Sequence, residues 1–280
     1  MHFMMILAAL GLACLLRLSW PAPTGNWTQR WQQALLLFLL PPLLLLMTAL
    51  AVICMGPQGQ MIGLHTDWFS YRLVLGCLGL AVIFCLKLAG EGLQSLQQIR
   101  TYPQIKLEGR SARLLDNSML FSAQIGFWQP ELVVSQGLLQ TLKPEQLEAV
   151  LAHELAHYYY RDTFWFFWLG CLRQMTAWLP NTEALWQELL LLREIRADCW
   201  AARRVDALLL AESLLMVVNV QMRVSENLCA AFSCPITRNR LQQRIDALLG
   251  EPECLTEPSW WNWSWVLLTL LPLVAVPFHS

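Results

Sequence analysis

From Ala34 to Met55 the chain runs without a single charged residue. A stretch of that length fits either a lipid bilayer, whose hydrocarbon core takes about 20 apolar residues as helix, or the middle of a large core. Composition decides for lipid. Of 280 residues only 14% are charged, against about 25% in a soluble domain. The apolar set AVILMFWYC makes up 56%, and there are 14 tryptophans, residues favoured at membrane interfaces. Lys and Arg number 19 against 20 Asp and Glu, a net charge of −1, with no basic block. Nucleic acid is therefore not expected as a direct partner, because phosphate neutralisation needs clustered cations. The lipid bilayer is.

Four segments are expected to span: Phe3 to Leu16, Ala34 to Met55, Leu73 to Ala89 and Trp260 to Phe278. The first is short and lacks the basic start and small-residue cleavage site of a signal peptide, so it reads as a retained, tilted span. Pro41 and Pro42 interrupt the second and are expected to kink it. Trp260, Trp261, Trp263 and Trp265 open the fourth as an interfacial belt. Arg17 and Arg30 lie in the first connection, Lys87 lies at the end of the third span, and Arg100 and Lys106 follow it. By the positive-inside rule the N-terminus is outside and the segment from Gly90 to Pro258 is cytoplasmic. The expected fold is mainly α: residues 1–90 a membrane region, 91–258 a catalytic α+β domain, 259–280 a last span. The nine cysteines form no framework; an odd total, several of them in apolar runs, fits reduced thiols.

Within the cytoplasmic segment, Pro144 to His157 reads as one helix, with Pro144 at its first position, Glu145 and Glu148 near its positive end, and Leu147, Val150 and Leu151 at helical spacing. His153 and His157 are four apart, so one turn puts both imidazoles on one face, able to bind one Zn²⁺. Glu154 beside them can act on water at the metal. Zinc with an open position for water wants a third protein ligand. Glu183, Glu188, Glu194 and Glu212 are the helical candidates downstream. Only Glu194 has an acid four residues on, Asp198, placed to orient a ligand imidazole through its other N–H. Taken alone, Arg193 to Arg204 would be a solvated charged face; beside the histidine helix the metal reading is preferred.

These residues carry a resemblance. His153 to His157, followed by Arg161 and Asp162, Trp178 to Pro180, Trp186, and Glu194 to Asp198, is similar to the zinc domain of BlaR/MecR-type membrane metallopeptidases, gluzincins related to HtpX and the CAAX prenyl proteases. Gly126 to Leu139 resembles the strand and turn before that group's active helix, and Arg240 to Ile245 its closing helix. The resemblance implies zinc ligands His153, His157 and Glu194, general base Glu154, and Asp198 supporting a ligand. The antibiotic sensors of that group carry an outer penicillin-binding domain. None is expected here, and no Ser-x-x-Lys occurs.

The resulting expectation is a multi-pass bacterial inner-membrane endopeptidase acting on a protein or peptide, a transcriptional repressor being one candidate. A membrane quality-control protease and a non-catalytic signalling protein with a structural zinc are the alternatives. Ala112 to Leu115 and Phe121 to Ile125 are strand candidates for pairing with an extended substrate. Thr163 to Leu179 is apolar enough to span, but a crossing there would separate His157 from Glu194. It reads instead as a buried or membrane-grazing helix, and Ala207 to Met222 as a core helix. Tyr158, Tyr159 and Tyr160 read as aromatic packing at the membrane surface, an oxyanion role being the alternative.

Overall fold

The computed structural model describes residues 2–20, 25–57, 60–61, 64–65, 68–107, 109–228, 234–250 and 260–278. The chain divides into two compact units, 1–88 with 169–189 and 256–280, and 89–168 with 190–255.

In the first unit α1 (His2–Leu18) packs on α2 (Trp27–Met55), and α2 on a 3-10 helix at Trp260–Phe278. Asn26 starts α2: its side chain accepts from the Gln29 N–H at 2.8 Å while the Gln29 side chain accepts from the Asn26 N–H at 3.3 Å, satisfying two otherwise orphan donors. Pro41 and Pro42 lie buried inside this helix, which runs on through them. After the short antiparallel pair β1 (Gln60–Met61) and β2 (Leu64–His65) comes α3 (Trp68–Arg100). Helices α2 and α3 are long and apolar enough to cross a membrane. Only 6% of the apolar window of α3 is buried, and Leu80, Val82, Ile83, Phe84 and Leu86 are exposed along it. Two of the four expected spans thus reach crossing length; His2–Leu18 and Ser264–Pro277 are apolar but shorter. The side chains of Trp260, Trp261 and Trp263 lie outside the described residues.

The second unit is built on a four-stranded sheet of β3 (Gln104–Leu107), β4 (Arg110–Leu115), β5 (Ser122–Ile125) and β6 (Glu131–Ser135), in the order β3-β4-β6-β5. Only the β4–β6 pair is parallel. This corrects one expectation: Ala112 to Leu115 pairs on both sides, with β3 and with β6, and so has no free edge. Strand β5 has a single neighbour among the described residues. The sequence gives no sign of β3, whose short run carries Gln104 and Lys106 on one face.

The sheet packs on α4 (Gln136–Thr141) and α5 (Pro144–Tyr159) through Ala112, Leu120, Val134, Leu138, Leu142 and Val150. Ser135 caps α4, its Oγ accepting from the Leu138 N–H at 3.2 Å. Gly137 is required there, because a Cβ would stand 2.1 Å from the Ser118 carbonyl oxygen. The unit continues with the first half of α6 (Asp162–Met175), the second half of α7 (Thr182–Ala201), α8 (Ala207–Leu228) and α9 (Cys234–Leu249). Helix α6 ends at Met175, short of the expected Leu179. Ala149 packs with Ala201, Leu210 and Leu214, and Ala156 with Ala197 and Trp200. Small residues stand where α5 meets α7, and side chains of one helix reach the other.

Candidate metal centre

Pro144 at the start of α5 needs no N–H partner, and Gln146 accepts from the Lys143 N–H at 3.1 Å, so the helix is fixed from its first turn. Two turns on, His153, Glu154 and His157 are all buried. Nε2 of His153 and Nε2 of His157 lie 3.1 Å apart. Glu194 arrives from α7 with Oε2 at 3.3 Å from Nε2 of His153 and Oε1 at 3.7 Å from Nε2 of His157. Zinc ligands at about 2.0–2.1 Å in tetrahedral array stand about 3.3 Å from one another. One donor atom from each of the three lies within 4.8 Å of the others, and two imidazoles with one carboxylate are a donor set that zinc favours. The residues fit a zinc ion.

The outer nitrogens are held as well. Nδ1 of His153 lies 2.8 Å from Oδ1 of Asp198, and Arg244 of α9 donates to both oxygens of Asp198, at 2.7 and 2.8 Å. Nδ1 of His157 lies 2.7 Å from Oδ2 of Asp162, and Arg196 donates to Oδ1 of that carboxylate. Each imidazole is thereby oriented with Nε2 toward the shared point. Arg161 has φ 53°, a left-handed turn that reverses the chain between α5 and α6 and returns Asp162 to the helix it has just left. Ser122 of β5 donates to Oε1 of Glu154 at 2.9 Å. Glu154 is therefore anchored beside the cluster and takes no part in the triangle.

Burial opposes charge throughout this site, and pairing overcomes it. For Glu194, burial would raise the pKa, but Arg193, the contact with His153, and Arg244 hold it well below the usual carboxylate range. Asp198 is lowered in the same way, against burial, by Arg244 and His153. For His153, burial works against the imidazolium, yet Asp198 and Glu194 outweigh it and the pKa rises to about 10. Arg193 also donates to Oε1 of Glu194 at 2.6 Å and lies over the Phe166 ring.

The other candidate carboxylates are engaged elsewhere. Glu188 accepts from Arg30 at 2.7 Å, Glu183 from Arg173 at 2.9 Å, and Glu212 from Gln146 at 3.2 Å. Tyr159 meets Tyr160 edge-on and lies tilted against Trp200. Sequence reasoning assigned no role to Asp162, Arg196, Arg244 or Ser122. An acid five residues beyond His157 and a basic closing helix were the available signals.

A family model described as Peptidase family M48 matches residues 116–239, a segment that contains His153, Glu154, His157, Glu194 and Asp198. The match supports a metallopeptidase of membrane type and indicates a metalloprotease hydrolase. No curated protein and no solved structure matches the chain.

Proposed function

We propose that the chain is a membrane-embedded, zinc-dependent endopeptidase of the BlaR/MecR-like group that cleaves a protein substrate at the cytoplasmic face. The observation that carries this reading is the cluster of His153, His157 and Glu194, whose donor atoms converge to within 4.8 Å of one another, with Glu154 next to it and outside it. His153, His157 and Glu194 would hold the ion, and Asp198 and Asp162 would orient the two imidazoles. Zinc bound there supplies a Lewis acid that lowers the pKa of water toward about 7 and polarises the scissile carbonyl.

The chain's own residues do the rest. Glu154, held at one oxygen by Ser122, takes the proton of the attacking water and delivers it to the leaving amine. Ser122 is the first residue of β5, the strand with a free edge among the described residues, so a peptide added to that edge by backbone pairing would run past Glu154. Backbone pairing tolerates many sequences, which suits a protein substrate. Lys87, Arg100 and Lys106 around the end of α3 support a cytoplasmic location. The apolar helices α1, α2, α3 and Trp260–Phe278 are read as four spans, the outer two tilted or in thinned bilayer.

The test separates base from ligands. Glu154→Gln keeps zinc, measured by elemental analysis of the purified protein, and loses cleavage of casein. His153→Ala and His157→Ala lose both. A Gln variant that still cleaves would overturn the mechanism.

A further inference from the structure

Glu194 straddles the two imidazoles. Its Oε2 lies 3.3 Å from Nε2 of His153 and its Oε1 3.7 Å from Nε2 of His157, so the carboxylate is placed to meet a metal with either oxygen or with both. The neighbouring cations treat the two oxygens unequally. Oε1 accepts from Nε and Nη2 of Arg193 at 3.0 and 2.6 Å, whereas Oε2 has Nη1 of Arg244 at 3.5 Å, beyond a well-made hydrogen bond.

A helix does not provide the grip of Arg193 on Glu194 by default. Adjacent residues leave the helix about 100° apart and do not face each other, so the arginine side chain must be bent toward its neighbour and held there. Phe166 of α6 holds it: the guanidinium carbon of Arg193 lies 4.8 Å from the centroid of the buried Phe166 ring, a cation–π seat that leaves the N–H edge free to donate. Phe166 follows Asp162 by one helical turn, and Asp162 lies 2.7 Å from Nδ1 of His157. One face of α6 thus supports two of the three residues of the cluster, His157 directly and Glu194 through Arg193. The arrangement bears on the position left for water. Zinc with three protein ligands keeps its fourth place open while the carboxylate gives one oxygen, and a second oxygen takes that place or forces five-coordination. An oxygen already accepting two charge-assisted hydrogen bonds is a poor second ligand.

We propose that Arg193 is a positioning residue: seated on Phe166, it occupies Oε1 of Glu194 so that Oε2 alone meets the metal and one coordination place stays open to water. This rests on the metal centre proposed above. The experiment uses the full chain in detergent, loaded with Co²⁺, whose visible absorption is intense in four-coordinate sites and several times weaker in five-coordinate ones. The unaltered chain should give the intense band. Arg193→Gln should keep bound metal but give the weaker one, and its turnover should fall about 10- to 100-fold, the usual size of a loss one step away from a ligand, with KM unchanged. Arg193→Lys keeps the charge and loses the planar two-point grip, and should behave like Arg193→Gln. Phe166→Leu leaves a buried apolar side chain, touches none of the three donors, and should shift the spectrum in the same direction. The intense band retained in Arg193→Gln overturns the proposal and leaves the metal centre standing. The same band in Arg193→Lys shows that charge alone suffices, and in Phe166→Leu that the ring is not the seat; each also overturns it. An unaltered chain that takes up no Co²⁺ overturns the metal centre itself.

Discussion

Asp162 begins α6, yet its carboxylate lies 2.7 Å from Nδ1 of His157, five residues back on α5. A proton on Nδ1 leaves Nε2 free to bind metal, and the negative carboxylate makes that nitrogen more basic. Asp162→Asn keeps the shape and removes the charge. It is expected to weaken metal affinity or activity about 10- to 100-fold, the usual size of such a loss, measured by competition with a chelator of known affinity. Asp198→Asn should behave alike at His153. Unchanged metal affinity and unchanged activity in both variants would remove these carboxylates from the site's design.

Ser122→Ala tests the anchor of Glu154. A hydrogen bond to a charged group contributes about 1.5–3 kcal/mol, so turnover should fall roughly 10- to 100-fold while bound metal stays stoichiometric, because Ser122 touches none of the three donors. Peptidase assay and elemental analysis on one preparation decide it. Loss of metal would show that the strand, and not the carboxylate, is what Ser122 holds.

Asp162 and Ser122, unlike Asp198, carry no role that the sequence revealed, and the reason is physical. His153 and His157 are readable because helical spacing alone puts them on one face, and Glu194 because Asp198 follows it by one turn. Asp162 acts across a turn that depends on the left-handed conformation of Arg161. Arginine does not advertise that conformation as glycine or asparagine would. Arg244 reaches Asp198 from another helix across the fold, a partnership that no local pattern encodes. Likewise, strand character at Ala112 to Leu115 was evident from side chains, but which strand keeps a free edge is set by pairing order. The parallel insertion of β6 beside β4 leaves β5 outermost.

Glu188 separates stability from metal binding. It was a sequence candidate for the third ligand, but it pairs with Arg30 through Nε at 2.7 Å and Nη2 at 2.6 Å, both side chains largely buried. Glu188→Ala strands the guanidinium of Arg30, and breaking a buried pair costs about 3–5 kcal/mol. The midpoint of thermal unfolding in detergent should drop while zinc content holds. Glu194→Ala should do the reverse and lose most of the metal. The double variant Arg30→Met, Glu188→Leu should recover much of the lost stability, since no charge is left buried alone.

Stability and metal affinity both depend on pH through His153. In the metal-free site, burial disfavours the His153 imidazolium, but Asp198 and Glu194 more than compensate, and its pKa rises from 6.5 to about 10. A group whose folded pKa is raised contributes stability that is fully present below its unfolded value and is lost as pH climbs through the folded one. Chelator-treated protein should therefore lose stability between pH 6.5 and about 10. Metal binding at Nε2 displaces that proton, so the loaded protein should be flat over the same window, and zinc should bind more tightly as pH rises. Thermal unfolding of the two forms across that range reads the first difference. Zinc titration calorimetry in two buffers of unlike ionisation enthalpy reads the released proton. Equal pH slopes for the two forms, with no proton released on binding, would mean that His153 is not where the metal sits.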